Sequence, residues 1–480
     1  SSPLLGWGLF LLLRNCLYSA PCVVLERVVS MHQTETIFQK LRLFLRLATP
    51  VILTQFSLLA GTFVAVFLTG QYSTVDLAGI SIGYNIWVAC FFGAMGILLG
   101  ISPIIAQLLG AKRPEQIPTI VRQGLYLATC MGLFLLILGL LGLKPLLLLL
   151  NLEPQAYEVC IHYMTAIAFG ILPLMWLSIL RNTVDSHGYT HYSMGIMITS
   201  FFLSVLLNYV LINGHFGLPA LGGVGAGIAT AICCWFNLLC YLVIVTRCKA
   251  FKDYHFFKQL EPWQWPYIQE QLRLGVPIGI SIFCEMSIFS VAGLVMAYFG
   301  TEIIAAHQAA ISFTNLFYCF PLSLSSASTI AVGYEVGAQR YADAKAYAYI
   351  ARGVSLVIAA LISMYSFTHL STIAGLYTTE SHMVNLIGSF LSYAVFFTVI
   401  DAFGTPIQGI LRGYKDVRII SVIAISTYWG VSVPVAYVFS KLLGYGSYGI
   451  WVGLLSSVSV AGILYTWRLW YIQYRRYAVR

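Results

Sequence analysis

The chain has 480 residues, of which 59% are hydrophobic and only 9% are charged. A soluble domain carries about 25% charged residues, so a chain this apolar could not cover its surface in water. The net charge of +9 would suit a nucleic-acid partner, but the basic residues fall in short groups between long apolar stretches. A helix of about 20 apolar residues crosses a hydrocarbon core of roughly 30 Å, whereas barrel strands are shorter and alternate. We therefore predict an all-α integral membrane protein.

The first segment in chain order, residues 1–30, does not match a membrane span. Residues 3–13 are apolar but too short to cross, and Arg14 follows them directly. The segment resembles the apolar part of a signal peptide, yet it lacks a clear small-residue cleavage pattern. Met31 begins a polar and then basic stretch that suits a natural start. We interpret residues 1–30 as a non-native extension or the result of a mis-assigned start.

Twelve long apolar stretches follow, and we predict that each is a transmembrane helix. They divide the chain into an amino-terminal lobe at 31–246, a cytoplasmic linker at 247–271 and a carboxy-terminal lobe at 272–480. The predicted spans lie near residues 48–69, 77–102, 123–143, 157–180, 190–212, 222–246, 274–299, 303–331, 346–368, 384–411, 418–440 and 448–470.

Lysine and arginine are distributed very unevenly across these spans. Apart from Arg14 and Arg27, all of them except Lys144 and Lys441 fall on the side that holds the segment before the first span. Cytoplasmic loops are enriched in Lys and Arg. We therefore predict that both termini are cytoplasmic, and we interpret the positive charge as a topology signal.

An internal repeat relates the two halves of the chain. Because each half has six spans, an even number, both halves enter the membrane in the same direction. This predicts a pseudo-two-fold axis along the membrane normal and a central cleft, which is typical of a transporter. The repeated segments are Arg46-Leu-Ala-Thr-Pro50 with Arg273-Leu-Gly-Val-Pro277, Gly110-Ala-Lys-Arg113 with Gly337-Ala-Gln-Arg340, Leu180-Arg181 and Asp185 with Leu411-Arg412 and Asp416, and Gly222 and Gly225 with Gly446 and Gly449.

Two carboxylates fall in the middle of predicted spans: Glu285 in the seventh and Asp401 in the tenth. The other fifteen of the seventeen lie in loops, at span ends or in the amino-terminal segment. An acid at the bilayer centre costs about 2.5–3.5 kcal/mol on insertion scales, and we find no Lys or Arg in the spans to pair with it. We predict that Glu285 and Asp401 form one cation site, which either coordinates Na⁺ or takes up a proton. The alternative is a protonated, hydrogen-bonded acid that ties two helices together.

Other polar groups within the spans are candidates for a substrate or ion pathway, although Asn and Gln also serve as interhelical hydrogen-bonding groups. The histidines and cysteines show no metal-ligand spacing, so we predict no metal other than a possible Na⁺ and no cofactor beyond the coupling ion. Aromatic residues in a cleft would suit flat, lipophilic cations. The pathway candidates are Gln55, Asn85, Asn208, His307, Gln308, Asn315 and Phe397.

The sequence resembles the multidrug and toxic compound extrusion family, in particular its NorM-type bacterial branch, from about Arg46 to Arg468. The resemblance implies two six-helix lobes and a functional monomer in the bacterial inner membrane that exports cationic drugs or dyes in exchange for Na⁺ or H⁺. It also implies a second-lobe cation site at Glu285 and Asp401. The segments that carry it are Gly110-Ala-Lys-Arg113, Leu221-Gly-Gly-Val-Gly-Ala-Gly-Ile228, Arg273-Leu-Gly-Val-Pro-Ile278, Ala305-Ala-His-Gln308 and Leu411-Arg-Gly-Tyr-Lys-Asp416.

Three positions depart from the family pattern. Alignment of residues 61–67 with the first-span motif puts Ala65 where NorM-type proteins carry an Asp. Ser204 stands where an Asn is common, although Asn208 is retained, and Phe397 replaces an aromatic hydroxyl four residues before the tenth-span acid. We expect the first-lobe proton site to be absent or altered, so that coupling depends on the second lobe.

Three other functions remain as alternatives. A flippase for lipid-linked oligosaccharides has a broadly similar two-lobe fold, but its cleft would need Arg or Lys within the spans to handle pyrophosphate. A membrane enzyme would need a cluster of reactive side chains at one membrane depth, and we predict that the protein is not an enzyme. A receptor or scaffold would show no flux.

Overall fold

The computed structural model describes residues 32–149, 154–215, 217, 219–258, 261–378 and 380–477. The prediction about residues 1–30 falls outside this part of the chain. Within it, twelve helices are long and apolar enough to cross a membrane, and they are numbered α1 to α12 below. The twelve helices are Ile37–Tyr72, Thr74–Gly110, Pro114–Leu148, Pro154–Ser186, Thr190–Asn213, Gly222–Arg247, Trp265–Met296, Thr301–Gly337, Tyr341–Thr368, Ser381–Gly413, Val417–Leu442 and Ser447–Arg475.

All twelve predicted spans are confirmed, and the differences lie at the helix ends. Helix α1 begins at Ile37, well before the predicted start at 48, because Thr36 caps it through a capping box with Gln39. Helix α7 begins at Trp265, so residues 265–271 of the segment that we assigned to the linker are helical. Polar first turns of this kind lie beyond the hydrocarbon core, where hydropathy no longer marks a helix.

Helices α2 and α11 are irregular within their length. Helix α2 is interrupted at Leu99 and Gly100, and helix α11 contains π-helical segments at Ile425–Trp429 and Val438–Leu442. The break at Gly100 lies where a Cβ on this residue would be only 2.7 Å from the backbone nitrogen of Gly275 in α7. The interruption therefore lets α2 and α7 approach each other closely.

The two lobes share an apolar core at one end of the bundle only. We call the end that carries most of the lysines and arginines the basic end. There, Leu98 and Ile104 of the first lobe belong to the same buried cluster as Leu324 and Ile410 of the second. At the opposite end each lobe has its own cluster. This is the arrangement of a central cleft that is closed at the basic end.

A symmetrical glycine contact closes the basic end. A Cβ on Gly110 would clash with the carbonyl of Tyr334, and a Cβ on Gly337 would clash with the carbonyl of Gln107. Because each pair is related by the 227-residue offset of the repeat, the two contacts are equivalent, as an approximate two-fold axis between α2 and α8 requires. The predicted two-lobe architecture is confirmed.

Polar contacts across the lobes reinforce this closure. The Gln107 side-chain amide donates to the carbonyl of Gly413 at 2.8 Å. The buried Lys40 ammonium forms an ion pair with Asp343 of the second lobe at 3.1 Å. These contacts must break if the basic end is to open.

Candidate functional site: a buried pair of carboxylates in the second lobe

The two predicted acids come together inside the second lobe. Glu285 lies on α7 and Asp401 on α10, and their exposed fractions are 6% and 5%. The two carboxyls lie close enough to interact through their charges. The neighbours of Glu285 on α7, Cys284 and Ile288, belong to the second lobe's own cluster, away from the core that the lobes share.

A hydroxyl group contacts each acid. The phenol of Tyr318 on α8 donates to Oε1 of Glu285 at 3.0 Å. The hydroxyl of Thr405, one turn after Asp401, donates to Oδ1 of Asp401 at 2.8 Å. Tyr318 also lies within electrostatic range of Asp401. Sequence reasoning missed Tyr318 and Thr405.

The chemistry of this site suits a small hard cation. Carboxylate and hydroxyl oxygens are the ligands that hard cations prefer, and two buried carboxylates need a compensating positive charge or a proton. Among the described residues, no group of three or more His, Cys, Asp or Glu side chains could hold a metal ion. The two carboxylates and the two hydroxyls offer oxygen ligands for a small cation, and either carboxylate can take up a proton.

One statement from the sequence was wrong: the spans do contain a buried basic residue near the acids. We had placed Arg412 in a loop, but it belongs to the last turn of α10, and its exposed fraction is 5%. It lies within electrostatic range of Glu285. The signal was present, because Asp401, Thr405, Gln408 and Arg412 follow each other at spacings of four, three and four residues. This spacing places all four on one helix face.

The other predicted pathway residues fall into two groups, one buried and one partly or largely exposed. Asn208 is buried and donates to the carbonyl of Ser204 at 2.8 Å, and its own Oδ1 accepts no hydrogen bond from the described residues. His307 is buried against the ring of Trp451, with the centroids 5.6 Å apart, and Phe397 packs edge-on against Phe289 at 5.4 Å. Gln55, Asn85, Gln308 and Asn315 are partly or largely exposed.

The first lobe offers no comparable acid at the position of the family motif. Ala65 is half-buried and packs against an apolar cluster that includes Ile80, Tyr163 and Ile212. Its carbonyl accepts a hydrogen bond from Thr69 at 2.9 Å. A carboxylate at this position would face apolar side chains, so the two lobes are chemically unequal although their helices are arranged alike.

Two pseudo-symmetric lobes of six membrane-spanning helices each, which share a core at one end, define a membrane transporter. Solved structures have the same fold. The outward-facing conformation of a multidrug resistance MATE family transporter of the MOP superfamily matches with a TM-score of 0.80 at 19% identity, covering 91% of this chain and 98% of that one. A MOP superfamily transporter from Pyrococcus furiosus matches with a TM-score of 0.79 at 19% identity, covering 92% and 99%.

Sequence relatives identify the family of transporters to which the chain belongs. The MatE family model matches residues 50–210 and 277–438, once in each lobe. A "Probable multidrug resistance protein NorM" from Bacillus cereus is 40% identical over 449 residues, which cover 94% of this chain and 99% of the relative. A protein of the same name from Streptococcus pneumoniae is 40% identical over 447 residues, covering 93% and 98%. The chain belongs to the MatE family, and it is a transporter and not an enzyme.

Proposed function

We propose that this protein exports small drug-like molecules, and that a cation bound at Glu285 and Asp401 drives the export. The near-complete coverage by relatives named for multidrug resistance supports drug export. The observation that carries the coupling hypothesis is the burial of two interacting carboxylates beside the hydroxyls of Tyr318 and Thr405. The coupling ion is Na⁺ or H⁺, and the preferred substrates are cationic and lipophilic.

The orientation follows from the positive-inside rule. The basic end faces the cytoplasm, both termini are cytoplasmic, and the membrane is the bacterial inner membrane. The closed basic end then makes the present conformation open to the outside. Both acids come from one chain, so a monomer suffices, with lobes at 31–246 and 272–480 joined by the segment between them.

In this proposal the cation enters from outside and reaches the acid pair. Binding neutralises the buried carboxylates and favours release of the exported molecule. Once the lobes reopen at the basic end, the cation leaves to the cytoplasm. Each charge that moves down a potential of 100 mV contributes about 2.3 kcal/mol, which is sufficient to bias the cycle strongly toward export.

The test uses purified protein in liposomes, with ethidium as the transported dye and an imposed Na⁺ or pH gradient. We expect one of the two gradients to drive dye movement in the wild type, and Glu285→Gln and Asp401→Asn each to abolish this response. The matched control is Glu302→Gln, because Glu302 is an exposed acid at the first turn of α8. If both acid variants transport as the wild type does, the proposed coupling site is wrong.

A further inference from the structure

The repeated Leu-Arg motif has diverged between the lobes. In the first lobe, Arg181 pairs with Asp185 one turn later, with Nε and Oδ2 3.5 Å apart. Their equivalents in the second lobe are Arg412 and Asp416, related by an offset of 231 residues. There, however, Asp416 is held by a different arginine, because Arg468 of α12 donates to both carboxylate oxygens at 2.6 and 3.2 Å.

Arg468 has no basic counterpart in the first lobe. The offset of 224 residues that relates Gly222 to Gly446 relates Arg468 to Ile244, a buried apolar residue. Since Arg468 pairs with Asp416, the guanidinium of Arg412 lacks the carboxylate partner that its repeat equivalent Arg181 has. In the described part of the chain, no carboxylate oxygen lies within ion-pair distance of Arg412, and its buried Nε has no hydrogen-bond partner.

The free guanidinium is directed toward Glu285. Side chains on a helix tilt toward its amino terminus, and α10 runs from the opposite end down to the basic end, so Arg412 reaches back along the face that carries Asp401. Its Nη2 contacts Oε1 of Gln408, one turn earlier, at 3.5 Å. Its charge interacts with Glu285 and with the phenols of Tyr318 and Tyr465. An arginine at this depth stays protonated.

We propose that Arg412 is a permanent internal counter-charge of the cation site, which neutralises one of the two carboxylates so that the site binds one monovalent cation per cycle. The inference rests on the proposed function of Glu285 and Asp401 and extends it. Two carboxylates and one guanidinium leave a net charge of −1, which one Na⁺ or one proton balances. Without Arg412 the site carries −2 and holds two monovalent cations, which it attracts more strongly.

The experiment measures two quantities in liposomes: the cation affinity and the number of cations carried per dye molecule. The second is obtained from the cation gradient at which net dye transport stops. We expect one cation per dye in the wild type. For Arg412→Gln we expect two, together with a half-maximal cation concentration lower by about tenfold. Arg412→Lys keeps the charge and should keep both wild-type values. The matched control is Arg181→Gln, because Arg181 is the equivalent residue of the first lobe and pairs with Asp185. This variant should also keep the wild-type affinity and stoichiometry.

A double variant separates a charge-balancing role from a structural one. In Asp401→Asn the remaining Glu285 is neutralised by Arg412, so coupling should be lost. Adding Arg412→Gln restores a net charge of −1, and we expect coupled transport to return, at one cation per dye. Titration of the purified variants with NaCl in choline buffer, and with acid, gives cation affinity independently of transport.

Two results would overturn the inference. The first is an Arg412→Gln protein that retains the wild-type affinity and stoichiometry, combined with no recovery in the double variant. The second is a wild-type protein that responds to neither gradient and binds neither cation, because then there is no bound cation for Arg412 to balance. Only the second result also rejects the proposed function.

Discussion

Gly110 and Gly337 occupy equivalent positions in the two halves, and the backbone at each glycine is pressed against the helix that carries the other. Neither position has room for a side chain while the basic end is closed. The repeated segments that begin with these two glycines are weak evidence of a family when taken alone. In the structure they mark the point where the lobes meet.

We expect Gly110→Val and Gly337→Val each to prevent closure of the basic end and to trap the transporter open on that side. The added side chain must displace backbone and not merely a flexible neighbour. Gly195→Val is the control, since nothing lies within 4 Å of a Cβ at that position. Distances between spin labels at the exposed residues Glu115 and Arg418 should lengthen in the first two variants. Unchanged distances would contradict this interpretation.

Lys40→Met should also destabilise the closed basic end. Lys40 pairs with Asp343 across the lobes, and without the ammonium Asp343 keeps only its contact with Arg340 of its own lobe among the contacts that the described residues make, at 3.7 Å. We expect longer distances between the same spin labels. The charge-reversed pair Lys40→Asp with Asp343→Lys should recover part of the closure, and its failure to do so would show that the charges do not interact as described.

Tyr318→Phe should strengthen proton binding at the acids and leave the fold intact. The variant loses only the hydroxyl that donates to Glu285, and a hydrogen bond to a charged group contributes about 1.5–3 kcal/mol. Because this bond stabilises the empty, charged carboxylate, we expect the half-maximal proton concentration to fall roughly tenfold. Tyr349→Phe is the control, because Tyr349 is exposed and its hydroxyl hydrogen-bonds with that of Tyr474. Equal cation affinities in the two variants would remove Tyr318 from the site.

Ala65→Asp should not create a second coupling site in this chain. The new carboxylate would face the apolar cluster around Ile80 and Tyr163, and burial of an unpaired acid is unfavourable. We expect a lower melting temperature and no recovery of coupled transport when Ala65→Asp is added to Asp401→Asn. Recovery in that double variant would show that the first lobe still supports ion coupling.

The spans were predictable because the thickness of the bilayer fixes the length of an apolar stretch, and the repeat fixed how the halves are related. The helix starts were not. Near Lys40 and Trp265 the chain leaves the hydrocarbon core while it is still helical, so apolarity ends before the helix does. The closed basic end was also unpredictable, since the pattern of spans is the same in every state of the cleft.

Of the site, Glu285 and Asp401 were predictable because an acid within a span is conspicuous. Tyr318 was not, because it is one of 30 tyrosines and its role depends on how α8 crosses α7. Arg412 was misplaced since hydropathy cannot distinguish a helix end covered by water from one covered by protein. The signal in the sequence was the spacing of four, three and four residues from Asp401 to Arg412, which places both residues on one face of the helix.

The shared core at the basic end has a consequence for the order of events. Opening that end exposes apolar surface from both lobes, so the empty protein rests with its entrance toward the outside, given the orientation we propose. Under the cation coupling that we propose, an unloaded carrier therefore waits for its ion and not for its cargo. Toxic molecules inside the cell would then meet only carriers that have already bound an external cation.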